Sequence, residues 1–159
     1  SSTEIENYTA RDRIRFFRNV HLLAQSPDQL RVVLAKIRET LYSHAMVYQE
    51  TVSVRLEEIN DAAAKLRLDA GIRTTNYQEF LAVAEDLNLR FIQIVLDAGA
   101  CISGPGQFRI VRDDQQVAED NGYIQDILAL WKEQDSKPFP HFSDQEIETM
   151  RGSLDWPQK

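Results

Sequence analysis

Arg38 and His44 stand six residues apart in the stretch Arg38-Glu39-Thr40-Leu41-Tyr42-Ser43-His44. Together they supply the two functions that phosphodiester cleavage needs: histidine moves a proton near neutral pH, and arginine stabilises the charge that builds on phosphate. Arg11, Arg15 and Arg18 are each about one helical turn apart, a spacing that gathers them on one helix face, able to hold phosphate or an acidic partner. Arg55 falls inside an apolar pattern, where a charge must be paired, turned outward by a break, or aimed at a partner. Arginines and tryptophans concentrate binding energy at interfaces, so the candidate binding set is Arg11, Arg15, Arg18, Arg55, Trp131 and Trp156.

The Arg38 to His44 stretch resembles the catalytic element of the HEPN ribonucleases over its seven residues. That resemblance implies an all-α domain in which histidine and arginine from two protomers act together on RNA. Glu39 follows the arginine where that family commonly has a neutral polar residue, and its charge opposes an RNA phosphate. Other chemistries find less. Cys101 is the single cysteine, which excludes an intramolecular disulfide and a multi-cysteine metal site. Asp113, Asp114, Glu119 and Asp120 do not follow calcium-loop spacing, and the Gly104-Pro105-Gly106 loop lacks the lysine and helix start of a phosphate cradle. The apolar run Phe91 to Leu96 lacks the polar side chains that read base edges. No cofactor and no metal are expected.

The elements positioning these residues read as helices. Thr9 with Asp12 opens a first helix running to about Gln25, with Ile14, Phe16, Phe17, Val20, Leu22 and Leu23 spread around it. Ser26-Pro27-Asp28-Gln29 is a start signal: a serine cap, proline in the first turn, and glutamine three residues after the cap. From Leu30 apolar residues recur at steps of three and four through Leu34, Ile37, Leu41, Ala45, Tyr48, Val52, Leu56, Ile59, Ala63 and Leu66. This predicts one long helix or two collinear ones, weakest at Thr51 to Val54 and stopping near Gly71. On that wheel His44 lies within the apolar stripe and Arg38 at its edge. Asn76 and Glu79 open a third helix ending at Gly99, its second half apolar on nearly every side and hence expected to be the most buried segment. Gln107 to Arg112 alternates like a short strand, Tyr123 to Lys132 is amphipathic, and Ser143 with Glu146 caps a last short helix.

The sequence therefore predicts a mainly α single domain over 1–159, with 1–8 and 153–159 as flexible tails. Three long helices form a bundle, followed by an irregular C-terminal part with one short strand or hairpin and two short helices. A net charge of −7 disfavours DNA and anionic membranes, and no apolar run reaches the length of a membrane span. The function expected from this reading is that of a non-catalytic cytoplasmic regulatory protein. It would bind a protein partner through a helical face or the C-terminal loops and could form a homodimer through the long helix. An RNA-cleaving enzyme using Arg38 and His44 and a small-ligand sensor are the alternatives.

Overall fold

The computed structural model describes residues 12–59, 63–103, 121–135, 142–154 and 156. Their order is β1 (Ile14–Leu23), α1 (Pro27–Ser43), β2 (Val47–Ile59), β3 (Ala64–Ile72), α2 (Tyr77–Asp97), β4 (Cys101–Ser103), α3 (Asn121–Glu133) and α4 (Asp144–Met150). The strands form one sheet in the order β2-β3-β1-β4, with every neighbouring pair antiparallel. Two β-α-β crossings interleaved in this way are the split, ferredoxin-like arrangement. The expected three-helix, all-α bundle is thus corrected to a mixed α/β fold.

The correction has a local cause. In β1, Phe16 and Leu22 are buried, while Arg15, Arg18 and Asn19 are exposed. A strand turns successive side chains to opposite faces, so Ile14, Phe16, Val20 and Leu22 share the face that carries the core. Phe17 and Leu23 fill the alternate positions with apolar groups and hide the period of two. In β3 the same face carries Ala64, Leu66, Leu68, Ala70 and Ile72, all buried, paired in register with β1 from Ile14↔Ile72 to Leu22↔Ala64. The stripe read as a long helix from Leu30 to Leu66 is in fact α1, then β2, then the start of β3. Its weak point at Thr51 to Val54 lies in the middle of β2, where β-branched residues suit a pleated strand. A bulge between Tyr48 and Ser53 interrupts the ladder, and Thr51 Oγ1 fills the gap by accepting the Gly71 amide at 2.7 Å and donating to the Tyr48 carbonyl at 2.6 Å.

The helices begin where their caps place them. Ser26 Oγ accepts the Gln29 amide at 3.2 Å with Pro27 in the first turn of α1, and Asn76 Oδ1 accepts the Glu79 amide at 3.1 Å at the start of α2. At α4, Ser143 and Glu146 form a reciprocal capping box. Replacing Ser26 with alanine should cost about 1 kcal/mol. Urea unfolding would register this as a lower midpoint with an unchanged slope.

α1 is covered on several sides, packing against β2, α2, α3 and α4, which explains why Val32, Val33, Ala35, Ile37 and Leu41 are all buried. Gln29 ties its N-terminal end to the end of α2 by donating to the Ala98 carbonyl at 2.8 Å. α2 buries Phe80, Val83, Ala84, Leu87, Phe91 and Val95. The segment expected to be most buried instead exposes Ile92 and Leu96, because α2 has the sheet and α1 on one side only. After α4, Leu154 pairs with the end of α1: its amide donates to the Ser43 carbonyl at 2.7 Å, and its carbonyl accepts the Ala45 amide at 2.9 Å. Trp156 packs against the core. Residues 1–8, the strand expected at Gln107 to Arg112 and the acidic run Asp113 to Asp120 lie outside the described residues.

Candidate functional site

α1 ends at Ser43, and His44 is its C-terminal cap in extended conformation. The imidazole is buried, 1% exposed, with both nitrogens occupied. Nδ1 accepts the Met46 amide at 3.1 Å, and Nε2 stands 2.9 Å from Asp86 Oδ2 on α2. A ring that accepts at Nδ1 carries its proton at Nε2, so His44 is held as one neutral tautomer donating to the carboxylate. Asp86 Oδ2 also accepts from Arg90 Nε at 2.8 Å, one turn along α2. Burial pushes the His44 pKa below its ordinary value, against the opposing pull of the Asp86 hydrogen bond and charge. Burial alone would raise Asp86, but hydrogen bonds from Arg90 and His44 hold its carboxyl below the usual range.

Arg38 is buried too, and points elsewhere. Its Nε and Nη2 reach the Val54 carbonyl at 3.2 and 2.9 Å, on the edge strand β2. Burial first, and the nearby Arg55 charge second, lower its pKa. Arg38 and His44 therefore serve different structural joints: one closes an edge carbonyl of β2, the other links the α1–β2 turn to α2. Asp86 and Arg90, which complete the His44 joint, escaped the sequence reading because their partner lies 42 residues away. The i, i+4 spacing of Asp86 and Arg90 was the available signal.

The second arrangement is the open face of the sheet. Arg15 and Arg67 both lie over the Phe17 ring, their guanidinium carbons 4.8 and 5.0 Å from its centroid; those of Arg13 and Arg73 lie 4.2 and 4.1 Å from that of Tyr48. These are cation–π distances. Asp69 pairs with Arg15 at 2.6 Å, and Glu57 with Lys65 at 3.1 Å and Arg67 at 3.4 Å. Arg55 is exposed, opposite Arg67 in register, and its Nη1 donates to its own strand's Val54 carbonyl at 3.0 Å. The strand pleat turns it outward, which accounts for a charge that seemed misplaced on a helical wheel. Arg15 and Arg18 were expected on one face; three residues apart on a strand they point to opposite faces, and Arg18 lies 4.7 Å over Phe16. Arg11 lies outside the described residues. Trp131 and Trp156 pack partly buried against the core, Trp131 with Lys36 Nζ 5.9 Å from its ring.

An open groove of about 620 Å³ lies among α1, α2 and the α4 region, lined by Glu39, Thr40, Arg90, Gln93, Ile94 and Met150 among others. Arg90 Nη2 is buried beside it without a hydrogen-bond partner among the described residues. Among the described residues no cluster of three or more histidine, cysteine or acidic side chains has metal-binding geometry. No helix among them is long and apolar enough to cross a membrane.

No family model matches the chain. Among curated proteins, an uncharacterized MscS family protein of Aquifex aeolicus is 30% identical over 109 residues, which is 67% of this chain and 29% of that protein. The low conductance mechanosensitive channel YnaI of Escherichia coli is 27% identical over 108 residues, 67% of this chain and 32% of its own length. The uncharacterized MscS family protein YhdY of Bacillus subtilis is 25% identical over 117 residues, 73% of this chain and 32% of its own. The chain thus spans about a third of the length of the curated relatives it matches. Among solved structures, that of Arabidopsis thaliana MSL1 aligns with 58% of this chain and 34% of its own at a TM-score of 0.54 and 16% identity, which is a likeness of fold.

These relatives overturn the expected function. A cytoplasmic regulatory protein, an RNA-cleaving enzyme and a small-ligand sensor all give way to a domain related to mechanosensitive channel proteins. The expected lack of any membrane connection and the cytoplasmic location are overturned by the same similarity, to the mechanosensitive channel YnaI and two further MscS family proteins. A homodimer through one long helix is excluded by the structure, because residues 47–59 and 64–72 are strands.

Proposed function

We propose that this chain is a water-exposed α/β domain of a mechanosensitive channel of the MscS type, a part that lies outside the bilayer and holds neighbouring subunits together. The observation that carries the reading is the match to three MscS-family proteins over 108 to 117 residues. A likeness of fold to MSL1 over 58% of the chain supports it. The buried His44 and the half-buried Asp86 and Arg90 then act as internal struts keeping α1 and α2 in fixed relation. The exposed arginines Arg15 and Arg55, on the open sheet face, are contact residues between subunits.

A chimera tests this. The matched segment of YnaI is replaced by the matching residues of this chain, and membranes carrying the chimera are assayed by native electrophoresis and by suction on excised patches. The expected result is an oligomer of the parent's size that opens under tension. A chimera that inserts in the membrane with a folded domain, yet neither assembles nor conducts, would overturn the proposal.

A further inference from the structure

α4 differs from α1 and α2 in what holds it. None of its seven residues is buried, whereas α1 and α2 each set a row of apolar side chains into the core. Side-chain bonds close within it and its caps: Ser143 with Glu146, Thr149 with the Gln145 carbonyl, and Arg151 with Glu148. These bonds keep the helix in shape without holding it down. The segment 142–154 is fastened instead at its two ends and through its backbone. Phe142, 4% exposed, meets Tyr42 edge-on with the ring centroids 6.2 Å apart. Leu154 is held by its two backbone bonds to Ser43 and Ala45. Between these ends, Gln49 Nε2 donates to the Ile147 carbonyl at 2.8 Å.

Two buried side-chain atoms lack a hydrogen-bond partner among the described residues, Gln49 Oε1 and Arg90 Nη2, and both belong to residues that face this segment. Gln49 is the residue that grips Ile147, and Arg90 lines the groove whose other wall is Thr149, Met150, Ser153 and Leu154. A buried polar atom without a partner costs its desolvation, and native proteins carry few of them. Here both fall along one seam. We propose that residues 142–154 form a strap, which lifts from α1 and β2 as a unit while the sheet, α1 and α2 stay folded. Lifting gives the two unpartnered atoms water, and elements with few buried apolar contacts are the ones that open locally. Once lifted, α4 melts, because so short a helix is marginal in water. The strap uncovers the α1–β2 turn, where the Ser43 carbonyl and the Ala45 amide form an acceptor and donor of the kind an extended chain pairs with. The strap rests on contacts within this chain and is independent of the channel-domain reading.

Hydrogen exchange of the full 159-residue chain, followed amide by amide by NMR, tests this. The Ala45, Ile147 and Leu154 amides donate to the Leu154, Ser143 and Ser43 carbonyls, so all three exchange when the strap lifts. They are expected to share one protection factor, about 100-fold or more below that of Leu68 in β3, the strand paired on both sides, and to respond to urea far more weakly. One protection factor and one urea dependence for all four amides would mean that the segment opens only when the domain unfolds, and would overturn the proposal. Fast exchange at Leu154 alone would be local fraying and would overturn it as well. A locked form supplies the converse. Gln93→Cys and Thr149→Cys, on opposite walls of the groove, are introduced with Cys101→Ser and joined by a short bis-maleimide. Joining should slow exchange at Ala45 and Ile147 about tenfold relative to the same protein unjoined, and equal rates would rule out the strap.

Discussion

His44→Ala should destabilise the protein by about 2–4 kcal/mol, because the ring joins two elements and its loss leaves the Met46 amide without its acceptor in a half-buried turn. Asp86 keeps Arg90 but loses its second donor. The same joint sets a pH dependence of definite sign. The folded protein holds the His44 pKa below the ordinary value of about 6.5, chiefly by burial. The unfolded chain therefore binds the proton more readily. The stability contributed by neutral His44 is present above about pH 6.5 and is lost as the pH falls through the folded value. Protonation would also put a hydrogen on Nδ1, facing the Met46 amide that now donates to it. Urea midpoints measured between pH 7.5 and 5 should fall more steeply for the wild type than for His44→Ala. Parallel curves for the two proteins would show that His44 does not carry the dependence.

Phe16→Ala should cost about 3–5 kcal/mol, whereas Phe17→Ala should cost much less, although the residues are adjacent. Phe16 is fully buried, its ring centroid 6.2 Å from that of Phe91, so its removal leaves a cavity between sheet and helix. Phe17 sits on the open face between Arg15 and Arg67, where truncation forfeits exposed stacking and leaves no enclosed void. Guanidinium unfolding of both variants measures the difference. Two equal, large losses would be the signature of a helix buried on two sides, which is how the sequence reads in isolation.

Part of the fold was legible because its determinants are local. The caps at Ser26, Asn76 and Ser143 need only the next few residues, and each is formed. The period of two in Ala64, Leu66, Leu68, Ala70 and Ile72 was equally present, but a helical count from Leu30 ran over it. In a window of mixed steps of three and four, helix and strand templates both find matches, and length was the criterion that misled. Of the candidate site residues, Arg38 and His44 were visible as misplaced polar groups near an apolar stripe. What they do was not visible, because Val54 and Asp86 are reached through space.

By itself, then, the sequence determined where α1, α2 and α4 start and which polar residues would be awkward in an apolar pattern. Only the tertiary structure decided that residues 14–23, 47–59 and 64–72 are strands, since a strand's backbone bonds close on a neighbour distant in the chain and a helix's close on itself. The same distinction settled the chemistry of Arg38 and His44. A buried guanidinium or imidazole takes its role from whichever carbonyl or carboxylate the fold delivers within about 3 Å, and here the fold delivers a strand edge and a neighbouring helix in place of a substrate.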